Sequence, residues 1–297
     1  MKSIIKRKET EETASDIKIE KTEEILEDVK FEEDIEDKSL SECENDNSSE
    51  TTFDIPKRKV ICISKMGSDH KFANKNNQDF TFNILNMKVV LDGCGEGKHS
   101  EVGARLFSQL FARECKAYVD RGEEINENNF RLLVDIVFSK MLAICSDISF
   151  LFQNYCFTIL VCFEFENEFV VLSAGDGYII KEDENGITFE ALDDGEYPAY
   201  YVYNFVQPKS ALKEYKEGVP FKVKRYSKEE VINVGVASDG LRFFENLLDV
   251  EKTKFMNFLH EGKGSQIEVL INRNNLKNEM FHDDISICFW FKGLALS

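Results

Sequence analysis

The chain has 297 residues, 42% of them hydrophobic, with 25 phenylalanines and a formal net charge of -18. That is enough for one large domain or two small ones. The acidic balance argues against nucleic-acid binding and against an anionic membrane surface. Charge is uneven along the chain. Residues 1–55 carry 19 acidic and 8 basic side chains, a net of -11, which leaves about -7 for the remainder. With few aromatics, that segment cannot bury enough apolar surface to offset its ordering entropy. It is expected to be a disordered acidic tail, with a weak helical pattern at Ile25, Leu26 and Val29, and partner docking is the alternative. Pro56 marks the boundary of a domain expected over 56–297. Eight cysteines stand singly, with no CxxC pair. This usage fits a reducing cytoplasm better than a secreted, disulfide-bonded protein. No apolar run reaches bilayer length, and MKSIIKRKE lacks the apolar core of a secretory signal. A soluble cytoplasmic protein is expected.

Lys59 to Ser64 reads as the first strand. A polar loop, GSDHKFANKNNQDF, separates it from a hairpin of Phe80–Leu85 with Met87–Asp92. Amphipathic helices follow over Ser100–Tyr118 and Phe130–Phe152, each with an apolar face at helical spacing. Tyr155–Phe165 and Glu168–Ala174 read as a second hairpin, and Gly175-Asp176-Gly177 as a tight turn into a strand over Tyr178–Glu182. Asp193–Pro220 is irregular, holds three of the four prolines, and reads as a surface flap with a short strand near Tyr200–Val206. Val231–Ala237 is a buried strand ending in Ser238-Asp239-Gly240. Helical patterns over Leu241–Leu248 and Thr253–Leu276 break at Gly262 and Gly264, and Asp283-Asp284 opens the last strand, Ile285–Phe291. The order implies an α+β domain with helices outside two packed, mostly antiparallel sheets.

Four aspartates share one context. Asp79 begins a strand, Asp92 and Asp239 end strands, and Asp283 precedes one. In an antiparallel pair the start of one strand lies beside the end of the next, so Asp79 and Asp92 are placed to converge. Each Asp-Gly taken singly is an ordinary turn. If the four ends meet, bare carboxylates repel and their pKa values rise. Oxygen-only ligands select hard cations such as Mg²⁺ or Mn²⁺, and a pair of such ions clamps a phosphoryl group and activates water.

These residues resemble the metal-dependent protein phosphatases of type 2C, most closely their bacterial branch. The matching pieces are GSDHKFANKNNQDF (67–80), VLDGCGEGKHSEVGARL (90–106), CFTIL (156–160), SAGDGYII (173–180), GEYP (195–198), ASDGL (237–241) and DDISI (283–287). They occur in the family's order across roughly residues 58–293, and together they are specific where each alone is weak. The resemblance implies a four-layer α-β-β-α sandwich and a centre of two Mn²⁺ or Mg²⁺ ions, with a third left open. By position, Asp92 would bridge both ions, the Gly93 carbonyl would bind one, and Asp239 and Asp283 the other. Asp79 would hold a metal-bound water. The implied reaction is hydrolysis of phosphoserine or phosphothreonine in a phosphoprotein by a hydroxide bridging the metals. The implied setting is a monomeric enzyme opposing a cognate kinase, with no nucleic-acid or membrane partner.

Three departures stand out. Gln78 replaces the family's glutamate ligand, Cys94 replaces the histidine that eukaryotic members carry, and the arginine expected shortly before Gln78 is missing. Lys71, Lys75 and His70 are the nearby phosphate-binding candidates. The lysines offer a point charge rather than a bidentate fork. His282 is a candidate to orient Asp283. His99 reads as a near-cap residue, His260 carries no signal, and Asp176 reads as the closing residue of a hairpin turn rather than a ligand. The departures keep a second reading open: a phosphatase fold that binds a phosphoprotein without hydrolysing it. A phosphoesterase for small molecules or nucleotides is a third.

Overall fold

The computed structural model describes residues 59–192, 198–209, 212 and 215–291. The acidic tail expected over residues 1–55 and most of the GEYP motif lie outside them. The strands run β1 Lys59–Lys65, β2 Phe80–Ile84, β3 Met87–Gly93, β4 Phe157–Glu164, β5 Glu168–Ala174, β6 Gly177–Asp183, β7 Gly186–Leu192, β8 Lys222–Ser227, β9 Asn233–Ala237 and β10 Ile285–Phe291. The helices are α1 Ser68–Phe72, α2 Ser100–Val119, α3 Glu127–Ile144, α4 Ile148–Asn154, α5 Asp249–His260 and α6 Gly264–Asn278. One sheet has the order β1-β10-β9-β6-β7 and the other β2-β3-β4-β5-β8, and the pairings are antiparallel.

Strand alternation sends apolar side chains to both faces of each sheet, and three apolar layers result. Val90, Leu160, Val171, Val234, Val236 and Trp290 fill the space between the sheets. Ile61, Ile63, Ile287 and Phe289 pack outward against Phe255, Ile267 and Ile271 of α5 and α6. Phe107, Phe111, Phe130 and Phe138 of α2 and α3 cover β3 and β4 on the other side. The result is the α-β-β-α sandwich. Phe107 lies at the centre of its layer, with its ring centroid 5.5 Å from each of Phe111, Phe138 and Phe157.

Several boundaries differ from the sequence reading for local physical reasons. The loop after β1 contains the short helix α1. The long helix expected over Phe130–Phe152 is two, because Asp147 caps a new start by accepting a hydrogen bond from the Phe150 N–H at 2.9 Å. Edge strands β7 and β8 were not anticipated, since their half-exposed residues lack a continuous apolar run. The stretch near Tyr200 forms a 3-10 helix, Tyr201–Asn204, not a strand. Nor is the stretch 198–206 a surface flap. Tyr200, Tyr201, Val202, Val206 and Phe221 are buried in the aromatic layer, and the Tyr201 hydroxyl donates to Asp135 of α3 at 2.8 Å. Finally, Gly175-Asp176-Gly177 is not a hairpin turn. It carries the chain from β5 in one sheet to β6 in the other.

Asp284, the residue before β10, ties three pieces of chain together. Its carboxylate accepts the Gly67 N–H at 2.8 Å and the Gln78 N–H at 2.6 Å. His70 of α1 brings Nδ1 to 2.8 Å from the same carboxylate. Asp284 thereby fixes the chain leading into β2 against the start of β10. The Asp284 carboxylate raises the His70 pKa above its ordinary 6.5, against the opposing effect of burial.

Two outcomes are expected. Phe107→Ala should cost about 3–5 kcal/mol of stability, the range for a buried aromatic truncated in a packed layer, read by urea unfolding. The His70 contribution is complete below the unfolded-state pKa near 6.5 and fades as pH rises through the raised folded value. Between pH 6 and pH 8, urea midpoints in chelator should therefore fall more for the wild-type chain than for His70→Gln.

Candidate active site

Asp92 sits at the end of β3, whose preceding residues are buried on both faces. β2 pairs Phe80 with Leu91, so the next step along the ladder sets Asp79 beside Asp92. Asp239 and Asp283 come from the other sheet, after β9 and before β10. Serine bonds align those two ends: Ser238 N–H donates to the Ser286 carbonyl at 2.9 Å, and Ser286 N–H donates to the Ser238 hydroxyl at 2.8 Å. The sheets meet at this rim, where the Asp239 N–H points to Asp92 Oδ2 at 3.4 Å.

Two glycines permit that approach. A Cβ on Gly93 would lie 2.6 Å from the Gln78 carbonyl oxygen, and one on Gly240 only 1.9 Å from the Asp284 carbonyl oxygen. Side chains there would push apart the strands that bring the carboxylates together.

The electrostatics are those of crowded acids. Burial, then the Asp284 charge, pushes Asp79 up to about 8. Burial pushes Asp92 well above the carboxylate range, with Asp79, Asp239, Asp283 and Asp176 adding to it. Burial pushes Asp239 up to about 6, although Arg242 opposes the rise. Asp176, read from sequence as a turn residue, thus belongs to this cluster. Its place in the crossing between sheets, invisible in the local sequence, puts it there.

Arg242 was also missed. It lies three residues after Asp239 on the 3-10 helix Asp239–Asn246. One guanidinium nitrogen donates to Asp239 Oδ2 at 2.6 Å and another to Asp283 Oδ2 at 3.2 Å. A cation from the chain itself therefore joins two of the four aspartates. The expected arginine before Gln78 is absent, but a guanidinium reaches the same rim from the other sheet.

The remaining candidates divide. Gln78 is buried beside Asp79, and its amide nitrogen donates to the Ser100 hydroxyl at 2.8 Å. Lys75 donates to the Gly95 carbonyl at 2.6 Å, steadying the glycine loop after Asp92. Lys71 is exposed on α1. His70 is engaged by Asp284. His282 does not orient Asp283. It turns to α1, with Nδ1 3.0 Å from Asp69 Oδ1 and its ring 5.3 Å from that of Phe243. Cys94 lies beside the buried Tyr200, whose phenol is pushed far up by burial, with Cys94 and Asp92 adding to the effect.

The donor chemistry fits a hard divalent ion, because the site offers only oxygens and carries excess negative charge. Asp79 Oδ2 and Gln78 Oε1 are buried without a hydrogen-bond partner, as atoms kept for a ligand would be. Among the described residues, no three His, Cys, Asp or Glu side chains are grouped so that they could hold a metal ion as they stand. The Arg242 bridge gives a physical reason, since Asp239 and Asp283 are turned to a guanidinium.

A family model described as Protein phosphatase 2C matches residues 66–271, a span that includes Asp79, Asp92, Asp176 and Asp239 and stops short of Asp283. Among solved structures, a bacterial serine phosphatase is 14% identical with a TM-score of 0.55, over 78% of this chain and 97% of that one. The serine/threonine phosphatase Stp1 from Staphylococcus aureus is 14% identical with a TM-score of 0.53, over 78% and 94%. The catalytic domain of the serine threonine protein phosphatase PstP, in complex with two manganese ions, is 15% identical with a TM-score of 0.52, over 78% and 96%. At such identity the likeness speaks for the fold. No curated protein matches the chain by sequence. With the family model spanning more than half of its length, the chain belongs to the protein phosphatase 2C family.

Proposed function

We propose that this chain is a divalent-metal-dependent phosphatase that hydrolyses phosphoserine and phosphothreonine in a phosphoprotein. The observation that carries the reading is the gathering of Asp79, Asp92, Asp239 and Asp283 at the rim where the two sheets meet, with a buried, unpartnered oxygen on Asp79. Asp92, the Gly93 carbonyl, Asp239 and Asp283 would hold two Mn²⁺ or Mg²⁺ ions, with Asp79 supporting. Bound there, such ions supply charge neutralisation at the phosphoryl group and a water of lowered pKa. The chain's own part is geometric. The Asp284 clasp sets Asp79, the serine bonds set Asp239 against Asp283, and the glycine loop after Asp92 is held by Lys75. The proposed setting is a monomer in a reducing cytoplasm, acting against a cognate kinase. Seven described cysteines, all free, are consistent with that compartment. No helix among the described residues is long and apolar enough to cross a membrane.

Turnover of para-nitrophenyl phosphate and of a phosphothreonine peptide with Mn²⁺ tests the reading. Asp239→Asn should lower it by roughly 100-fold or more, because a metal's share of the barrier is several kcal/mol. Unchanged turnover in the folded variant would defeat the assignment. Metal uptake without hydrolysis would favour the binding module, and preference for nucleotides the small-molecule phosphoesterase. Arg242 competes with a cation for Asp239 and Asp283, and an exposed pair of this kind is worth about 0.5–1 kcal/mol. Arg242→Ala is therefore expected to tighten Mn²⁺ binding by about 2–5-fold in calorimetry.

A further inference from the structure

β1 is an edge strand, and its alternate residues face different surroundings. Ile61 and Ile63 point into the layer under α5 and α6. Cys62 points the other way, at the open margin of the space between the sheets, and is exposed. Directly opposite it in the β1–β10 ladder is Cys288, which is fully buried. The two sulfurs are 2.6 Å apart. Directly opposed residues of an antiparallel pair have Cα atoms roughly 4.5–5.5 Å apart. A disulfide spans roughly 4.4–6.8 Å between Cα atoms, so the register and the sulfur contact place the pair within disulfide reach.

The surroundings make the two thiols unequal. Cys288 has two acceptors near its thiol, the Cys62 sulfur and the Phe82 carbonyl at 3.7 Å. Lys88 of β3 is buried in the same layer, its ammonium 4.1 Å from the centre of the Trp290 ring. Although Cys62 is exposed on the edge strand, its sulfur is partly buried against Cys288. Against that partial burial, the Cys288 hydrogen bond, then the Lys88 charge and Thr81, hold the Cys62 thiol below its ordinary value. Burial pushes Cys288 well above it. Burial likewise pushes Cys115 up to about 12 and raises Cys156 and Cys162. Those three are buried hydrophobes, whereas Cys62 is held lower and sits on an exposed residue of the edge strand.

We propose that Cys62 and Cys288 form a built-in oxidation site, at which a hydroperoxide oxidises Cys62 and Cys288 then closes a cross-strand disulfide. The Cys62 thiolate attacks the terminal peroxide oxygen. An S–O bond forms, the O–O bond breaks, and the departing oxygen takes up a proton to leave as an alcohol, or as water from hydrogen peroxide. The Cys288 sulfur then attacks the Cys62 sulfenic acid. The S–S bond forms, and the hydroxyl leaves as water with the Cys288 proton. Two thiols lose two electrons, and the peroxide gains them.

The full chain, reduced and then treated with hydrogen peroxide, is the test. Free thiols are alkylated in denaturant, and the digest is mapped by mass spectrometry. The expected product is a linked pair of peptides containing Cys62 and Cys288, two hydrogens lighter than the reduced pair, formed before Cys115, Cys156 or Cys162 loses its alkylation. In Cys288→Ser, Cys62 should accumulate as a sulfenic acid captured by dimedone. In Cys62→Ser, Cys288 should stay alkylable, which keeps the test open if the other variant fails to fold. Failure to form the linked pair overturns the proposal, whether both thiols stay alkylable or Cys62 joins another cysteine. Oxidation of Cys288 at an unchanged rate in Cys62→Ser overturns the assigned roles.

Discussion

Asp79, Asp92, Asp176, Asp239 and Asp283 are like charges pressed into one rim, and each is held there against the repulsion of the others. Two unit charges about 4 Å apart interact by about 4 kcal/mol at the effective dielectric of a protein surface. A domain is stable by only about 5–15 kcal/mol in total. A few bare carboxylate pairs would therefore consume that margin. The chain has three means of relief: protonation of buried aspartates, the Arg242 guanidinium across Asp239 and Asp283, and bound cations. Burial and mutual repulsion push Asp79, Asp92 and Asp239 toward the protonated form, and Arg242 makes its contacts at 2.6 Å and 3.2 Å. The third belongs to the proposed function, in which cations would replace the guanidinium at Asp239 and Asp283.

Tolerance of that crowding rests on rigid support. Phenylalanines of α2 and α3 brace β3 and β4 from behind, and Asp92 extends from the end of this braced pair. From the other side, Asp284 uses two backbone N–H groups and His70 to pin the entrance of β2 to the start of β10. This clasp is itself anionic and adds to the rise at Asp79. Positioning and electrostatic tension thus come from the same residue.

The same division between buried and marginal placement governs the cysteines. Within the layers, Cys115, Cys156 and Cys162 behave as small apolar groups whose ionisation is suppressed by burial. At the margin, Cys62 faces its cross-strand partner with Lys88 nearby, and burial no longer dominates. One residue type differs in its ionisation according to its depth in the sandwich.

The sequence alone determined the two-sheet, two-helical-layer composition of the domain, because long apolar and amphipathic runs carry their own periodicity. It also singled out Asp79, Asp92, Asp239 and Asp283, because a carboxylate at a strand end is a local pattern, reinforced by a following glycine at Asp92 and Asp239. What was not legible shared one property: it depended on contacts between distant segments. Edge strands β7 and β8 have little apolar periodicity of their own, and the segment around Tyr200 is buried by distant partners, Phe138 of α3 and Phe221 among them. Asp176 became a member of the carboxylate cluster through a crossing between sheets, and His282 left it because α1 supplied Asp69. Arg242 and Cys62 are ordinary residues in the chain. A 3-10 turn sets one across two acids, and an antiparallel register sets the other against Cys288. Local periodicity is encoded within a few residues, whereas charge partnership and depth exist only once the sheets have closed on each other.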